Sequence, residues 1–195
     1  MACLFSMIFL TKLSNESLLG FFVGILDKGG SVNLKLNKLV LMAVLIALSV
    51  IGSTLKVFST VAFDSLPAYL AAILLGPLAG GIIGGLGHLI TALTAGFPLG
   101  VLVHLITILA MVVTMGVFGY GYRKLILPFY LKALVLGLVG WLFNAVLPLV
   151  LLIPIAGQGL FMAFILPLTL ATLANLYLAL IIAQVLPDSI KERIV

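Results

Sequence analysis

Long apolar runs that are nearly free of charge dominate this sequence. Four of them, Leu39 to Val57, Leu99 to Phe118, Leu131 to Ile153 and Leu160 to Leu186, reach the roughly 20 residues that a helix needs to cross a hydrocarbon core ~30 Å thick. Only 8% of the residues are charged, against roughly 25% in soluble domains. Because backbone amides inside a bilayer must be paired within the protein, unbroken apolar runs favour helices over a barrel. The sequence predicts an all-α, polytopic membrane protein.

The stretch from Ser65 to Ala95 allows two interpretations. It is either one overlong helix or a hairpin broken at Gly76-Pro77, where proline removes a backbone donor. Cytoplasmic loops collect lysine and arginine, and only the hairpin gathers seven basic residues on one face, leaving Lys56 opposite. We therefore predict a six-helix transmembrane bundle with both termini cytoplasmic. The seven residues are Lys35, Lys38, Arg123, Lys124, Lys132, Lys191 and Arg193.

The N-terminal residues 1–34 do not fit this plan, and we separate them as an extension from a substrate-binding domain at 35–195. The apolar pieces before Ser31 are too short to span a membrane. Two interpretations stay open. The segment is an interfacial amphipathic helix, or it is not part of the native protein, with Val32 encoded by the true start codon.

Several function classes find little support in the residues. The net charge of +5 comes from scattered basic residues rather than a patch, which argues against nucleic acid. The single cysteine, Cys3, excludes an internal disulfide framework. Two histidines without H-E-x-x-H spacing, and no acidic residue between Asp64 and Asp188, leave no metal cage or acid/base pair. We expect no enzyme activity, no cofactor and no bound metal.

Small residues recur at spacings that bring helices close together. In the glycine-rich run from Gly76 to Gly87, the pairs Gly80/Gly84 and Gly81/Gly85 form two adjacent smooth helix faces, whereas the Gly-Lys-Ser/Thr ending of a nucleotide loop is missing. We therefore predict tight helix packing there. Ala43 and Ala47 form a similar A-x-x-x-A face in the first predicted helix.

Polar side chains inside a membrane are costly, which makes them candidates for a binding site. The predicted topology places several of them towards the outside and others in the external connections, and together they predict a substrate pocket open to that side. Its candidate residues are His88, Phe97, His104, Trp141, Asn144, Asp64 and Gln158.

Each candidate also has an ordinary structural interpretation. Either histidine could be a neutral side chain satisfied by one neighbouring helix, Asp64 a solvated helix cap, and Trp141 a lipid-facing filler. The deeper Thr169, Thr172 and Asn175 are predicted to make interhelical hydrogen bonds.

The segment from Asp64 to Pro77, which reads DSLPAYLAAILLGP and leads into the glycine-rich helix, resembles the S components of energy-coupling factor (ECF) transporters. The resemblance covers Leu39 to Leu186. It implies a membrane-embedded binder for a vitamin or precursor that docks on a transmembrane coupling subunit and two ATPases. Ala43 and Ala47 match the family's docking motif. The metal-binding N-terminal histidine motif of the nickel and cobalt members is missing, which implies an organic substrate.

The segment from Thr94 to Leu99 together with His104 is similar to members assigned to corrinoid precursors such as α-ribazole. Two other functions stay open. A small membrane enzyme or assembly factor would turn over a substrate without partners. A self-sufficient carrier normally needs an intramembrane carboxylate as ion relay, and this sequence has none between Asp64 and Asp188.

Overall fold

The computed structural model describes residues 34–54, 56–57, 61–62 and 64–187. By its contacts the chain divides into two units, Met1–Leu39 and Val40–Val195. Within the first unit only residues 34–39 are described, and they form the start of a helix. The predicted extension up to residue 33, with Cys3, lies outside the described residues, as do Lys191 and Arg193.

Helices make up nearly all of the described chain, in agreement with the predicted class. Three of them are long and apolar enough to cross a membrane, namely Pro77–Ala95, Val101–Lys124 and the composite stretch Phe129–Val185, and a shorter apolar helix covers Lys38–Thr54. The elements are α1 Leu34–Thr54, α2 Leu66–Leu74, α3 Pro77–Ala95, α4 Val101–Lys124, α5 Phe129–Trp141, a π-helical turn Leu142–Val146, and α6 Leu147–Val185.

The predicted break at Gly76-Pro77 is confirmed. Gly76 has a φ of 106°, which a residue with a side chain rarely adopts, and Pro77 occupies the first turn of α3, where its missing N–H costs nothing. The preceding α2 has only 9 residues, so it rises ~14 Å. It is therefore too short to cross a bilayer by itself.

The connection between α1 and α2 differs from the sequence prediction. The first helix ends at Thr54 rather than Val57, and two short strands follow, β1 Lys56–Val57 and β2 Val61–Ala62, which pair antiparallel. Valine on both strands favours extended structure. The apolar run through Val57 predicts helix because hydrophobicity alone does not separate a helix end from a short strand.

The last two predicted helices are joined without a separate loop. Gly157 alone leaves helical geometry, with φ 79° and ψ 167°, and divides α6 into two segments. Upstream, the π-helical turn widens the helix around Asn144, a feature that is frequent at functional sites.

Glycines on α3 permit the close packing that their spacing predicts. A Cβ added at Gly80 would lie 2.5 Å from the Cβ of Ala72 on α2, and one at Gly85 would lie 2.8 Å from a methyl of Val112 on α4. The two glycine faces therefore contact two different helices, and the prediction of tight packing is confirmed.

Two glycines on α4 provide a matched test of this packing. A Cβ at Gly119 would lie 2.9 Å from Pro77 Cα and 3.1 Å from the Ala72 carbonyl oxygen, whereas one at Gly116 meets nothing within 4 Å. We expect Gly119→Ala to lower the free energy of unfolding by about 1 to 3 kcal/mol because backbone atoms must move. Gly116→Ala should leave it unchanged or raise it by up to about 1 kcal/mol. Denaturant unfolding in micelles measures both, and equal effects would contradict the packing.

Candidate functional site

The two histidines of the chain contact each other across α3 and α4. His88 Nε2 lies 3.2 Å from His104 Nδ1, and the ring centroids are 5.4 Å apart. His88 belongs to the second half of α3 and His104 to the first turn of α4, so the short connection between these helices brings them together. We call these two residues the histidine pair.

Phe97 in that connection completes a small cluster. Its ring meets the His104 ring edge-on, with centroids 5.6 Å apart and an angle of 70° between planes. Phe97 has a φ of 52°, an unusual conformation for a residue with a large side chain. Its N–H donates to the Ala92 carbonyl and its own carbonyl accepts from Gly100 N–H, which holds the turn. The backbone thus fixes an aromatic ring beside the histidine pair.

One nitrogen of the pair has no hydrogen-bond partner among the residues that the structure describes. His104 Nε2 is buried and makes no hydrogen bond within the described part of the chain. A neutral histidine carries one proton on its two nitrogens. When His88 donates to His104 Nδ1, the free Nε2 is an N–H donor, and when His104 donates, Nε2 is an acceptor. An unsatisfied buried polar group is costly, so this nitrogen is available to a ligand.

Two further candidates are paired with threonines on α6. Trp141 Nε1 donates to Thr169 Oγ1 at 2.9 Å, and Asn144 Nδ2 donates to Thr172 Oγ1 at 2.9 Å. The predicted interhelical hydrogen bonds of both threonines are therefore confirmed. Trp141 is half-buried and tied to α6 by this bond, and its interpretation as a lipid-facing filler stays open.

Asn175, the third of the deeper residues, is fully buried in α6. Its amide donates to the Ala171 carbonyl of the same helix at 2.8 Å. This bond lies within α6, so the interhelical bond that the sequence predicts for Asn175 stays a prediction.

Asp64 precedes α2 but does not cap it. The cap residue is Ser65, which makes no side-chain capping bond, so the helix-cap interpretation of Asp64 is wrong. Its carbonyl accepts a hydrogen bond from Ser49 of α1. Burial raises the pKa of the Asp64 carboxyl from its ordinary 3.8 to about 6, and backbone hydrogen bonds from Ser65 and from Asp64 itself offset part of that rise.

The pKa of Asp64 gives a pH prediction. Because the pKa is raised on folding, the folded state binds the proton more tightly, and stability falls as pH rises from about 4 to above 6. We expect Asp64→Asn to remove this part of the pH dependence and to be more stable than the wild type at pH 7. Thermal unfolding at a series of pH values measures it, and a parallel fall in both proteins would contradict the assignment.

The remaining predicted residues are on the surface. Gln158 is exposed beside Gly157, and Ala43 and Ala47 are exposed on α1. Tyr69 of α2 is not among the predicted residues. It is fully buried against Phe118, with ring centroids 4.9 Å apart. Its hydroxyl has no hydrogen-bond partner among the described residues. The signal for it was a lone tyrosine among alanines and leucines, a polar tip within an apolar helix.

A family model for the ECF transporter substrate-specific component matches residues 37–187. The chain belongs to this family. A search of curated proteins and a search of solved structures found no significant match. Substrate-specific components are membrane-embedded transporter subunits that bind a small molecule and dock with a module of a transmembrane subunit and ATPases. This substrate-specific component is accordingly a multi-pass membrane protein.

Proposed function

We propose that this chain is the specificity subunit of an ATP-driven uptake transporter for an organic micronutrient, which it binds from the outside. The observation that carries the proposal is the buried His104 Nε2 beside His88 and Phe97, which has no hydrogen-bond partner among the described residues. Within an apolar bundle this cluster offers one nitrogen that can either donate or accept a hydrogen bond, next to an aromatic ring. Such an arrangement suits a flat heteroaromatic molecule.

The rest of the proposed pocket extends from this cluster towards α5 and the π-helical turn. Asn144 is buried and uses one amide hydrogen on Thr172, so the other hydrogen and its oxygen have capacity for a ligand. Trp141 lies one turn earlier and supplies a stacking surface. We assign Asp64 and Gln158 to the rim, because both lie in connections that the proposed topology places outside.

The identity of the substrate is the most specific part of this proposal. α-Ribazole, or another precursor of corrinoids, carries an aromatic base that would stack on Phe97 or Trp141 and accept or donate at His104. Mass spectrometry of small molecules that copurify with the detergent-solubilised protein tests it. We expect an aromatic vitamin or precursor in stoichiometric amount. A purely aliphatic molecule held equally well after replacement of His104 would contradict the proposal.

We further propose that six helices make up the membrane bundle, with both termini cytoplasmic and the Gly96–Gly100 connection outside. Arg123 and Lys124 end α4 and Lys132 follows in α5, so this orientation places the three on the inner face. A cysteine at exposed Leu99, in a chain with Cys3 replaced, should react with an impermeant reagent added outside intact cells. Leu99 is preferable to Gly96, whose φ of 74° disfavours a side chain. Labelling only from the cytoplasmic side would contradict the topology.

The proposed docking face is the A-x-x-x-A pair of α1. Ala43 and Ala47 are one turn apart and both exposed, so a helix of the coupling subunit can approach the backbone there closely.

A further inference from the structure

An apolar groove runs along the surface of the protein between α3 and α4. It has a volume of about 360 Å³ and is lined by Pro77, Leu78, Gly81, Ile82, Val112 and Gly116. Gly81 and Gly116 deepen the groove because they have no side chains to fill it. A Cβ added at Gly116 would meet nothing within 4 Å. Leu78 and Ile82 are exposed at its edge, Leu78 by 78%. The groove therefore has the shape and chemistry to hold a flexible hydrocarbon chain.

A single guanidinium lies at one end of this groove. Arg123 is exposed in the last turn of α4, and its Nη2 lies 3.2 Å from the Cβ position of Gly76, the residue before groove-lining Pro77. One of its N–H groups faces the Leu74 carbonyl at 3.5 Å. Arginine has five N–H donors, so the guanidinium keeps most of its donors for an external anion.

The spacing along α4 matches the depth of one leaflet. Val112, Gly116 and Arg123 stand at i, i+4 and i+11, which lie on one helix face. The eleven residue-to-residue steps from Val112 to Arg123 rise ~16 Å, and half of a hydrocarbon core ~30 Å thick is about 15 Å. A molecule with its charge at Arg123 would thus reach close to the midplane in the groove.

We propose that this groove binds an anionic phospholipid, with the phosphate at Arg123 and one acyl chain between α3 and α4. The planar guanidinium matches phosphate geometry and favours two parallel hydrogen bonds. Exposed tyrosines flank this end of the bundle, Tyr120 by 62% and Tyr130 by 70%, as in the aromatic belts that sit at headgroup level. The positive charge of Arg123 favours an anionic lipid over a lipid without net charge. A purely apolar partner helix would offer no counter-charge to Arg123.

Native mass spectrometry on the delipidated full chain tests the proposal. The chain is titrated with phosphatidylglycerol or with phosphatidylcholine of identical acyl chains. We expect the anionic lipid to bind about tenfold more tightly, because both lipids offer a phosphate but phosphatidylcholine also carries a quaternary ammonium, whose positive charge is repelled by Arg123. Arg123→Gln should reduce phosphatidylglycerol to the level of phosphatidylcholine, whereas Arg123→Lys should retain part of the preference.

Two kinds of variant distinguish lipid binding in the groove from general attraction to surface charge. Gly116→Leu fills the groove from α4, where an added Cβ would meet nothing within 4 Å, and Ile82→Trp covers it from α3, so each should weaken both lipids about tenfold. Lys124→Gln removes a neighbouring charge that does not face the groove and should leave the preference intact.

Three results would overturn the proposal. These are equal binding of the two lipids to the wild type, equal losses in Lys124→Gln and Arg123→Gln, and groove variants that keep lipid affinity. If those groove variants also failed to assemble with the coupling subunit, the groove would be a protein interface instead. None of these outcomes depends on the substrate.

Discussion

A chain carrying Ala43→Trp together with Ala47→Trp is expected to lose uptake almost completely while it binds its substrate with nearly unchanged affinity. Both alanines are exposed on α1, so the indole rings have room and should not disturb the fold of the isolated subunit. Close approach of a partner helix depends on side chains no larger than alanine. Two tryptophans one turn apart would therefore hold the coupling subunit away from the α1 backbone.

The matched control for this prediction is Leu48→Trp. Leu48 is also exposed on α1, by 38%, but it lies about 100° around the helix from Ala47. It should retain transport. Uptake into proteoliposomes containing the complete complex, combined with calorimetry on the isolated subunit, separates the two functions. Loss of binding with assembly preserved would instead mean that the alanine face packs internally or lines the pocket.

The second large effect is expected at His104 and Asn144, each replaced by leucine. Both are polar groups on otherwise apolar helices, and each has hydrogen-bonding capacity that the described contacts leave unused. Removing one hydrogen-bond partner from a buried complex costs about 1 to 3 kcal/mol, which corresponds to roughly 5- to 150-fold weaker affinity. Calorimetry with the molecule identified by copurification measures the loss.

Two controls distinguish loss of a contact from loss of the fold. Thr114→Val removes a fully buried hydroxyl of α4 that, within the described part of the chain, bonds only to the Ala110 carbonyl of its own helix, so the affinity should not change. Asn175→Leu should lower stability more than affinity, because Asn175 is fully buried in the proposed inner half of α6. Wild-type affinity in correctly folded His104→Leu and Asn144→Leu proteins would place the pocket elsewhere.

Much of the fold could be predicted because the length of an apolar run and the backbone preferences of glycine and proline can be read from neighbouring residues. Proline at residue 77 next to glycine at residue 76 marked the hairpin, and the glycine spacing on α3 identified both packed faces. The strand pairing after Thr54 could not be predicted, because strands of two residues are too short to show the alternating pattern that identifies a strand in a sequence. The break at Gly157 lies between the two apolar runs that end at Ile153 and begin at Leu160, so its place was predictable to within a few residues. The exact residue was not, because glycines and prolines cluster there.

For the candidate site, the depth of each residue in the membrane could be predicted, but the residue that it contacts could not. Topology placed His88 and His104 near the same end of neighbouring helices, yet the sequence gives no rotation about the helix axis, and their direct contact depends on that rotation. The same applies to Trp141 and Asn144, whose threonine partners lie 28 residues further along. Tyr69 was missed because its burial depends on α4 and α5 packing around α2.

The central claim, that the histidine pair contacts the substrate, can be tested by nitrogen NMR. The chain contains only two histidines, so a protein purified without a histidine tag and labelled with ¹⁵N-histidine reports on these two rings alone. Adding the copurifying molecule should shift the His104 Nε2 resonance as that nitrogen gains a partner, and Phe97→Leu should weaken the response. If the ligand binds and the resonances of both histidines stay where they were, the pocket does not include the histidine pair.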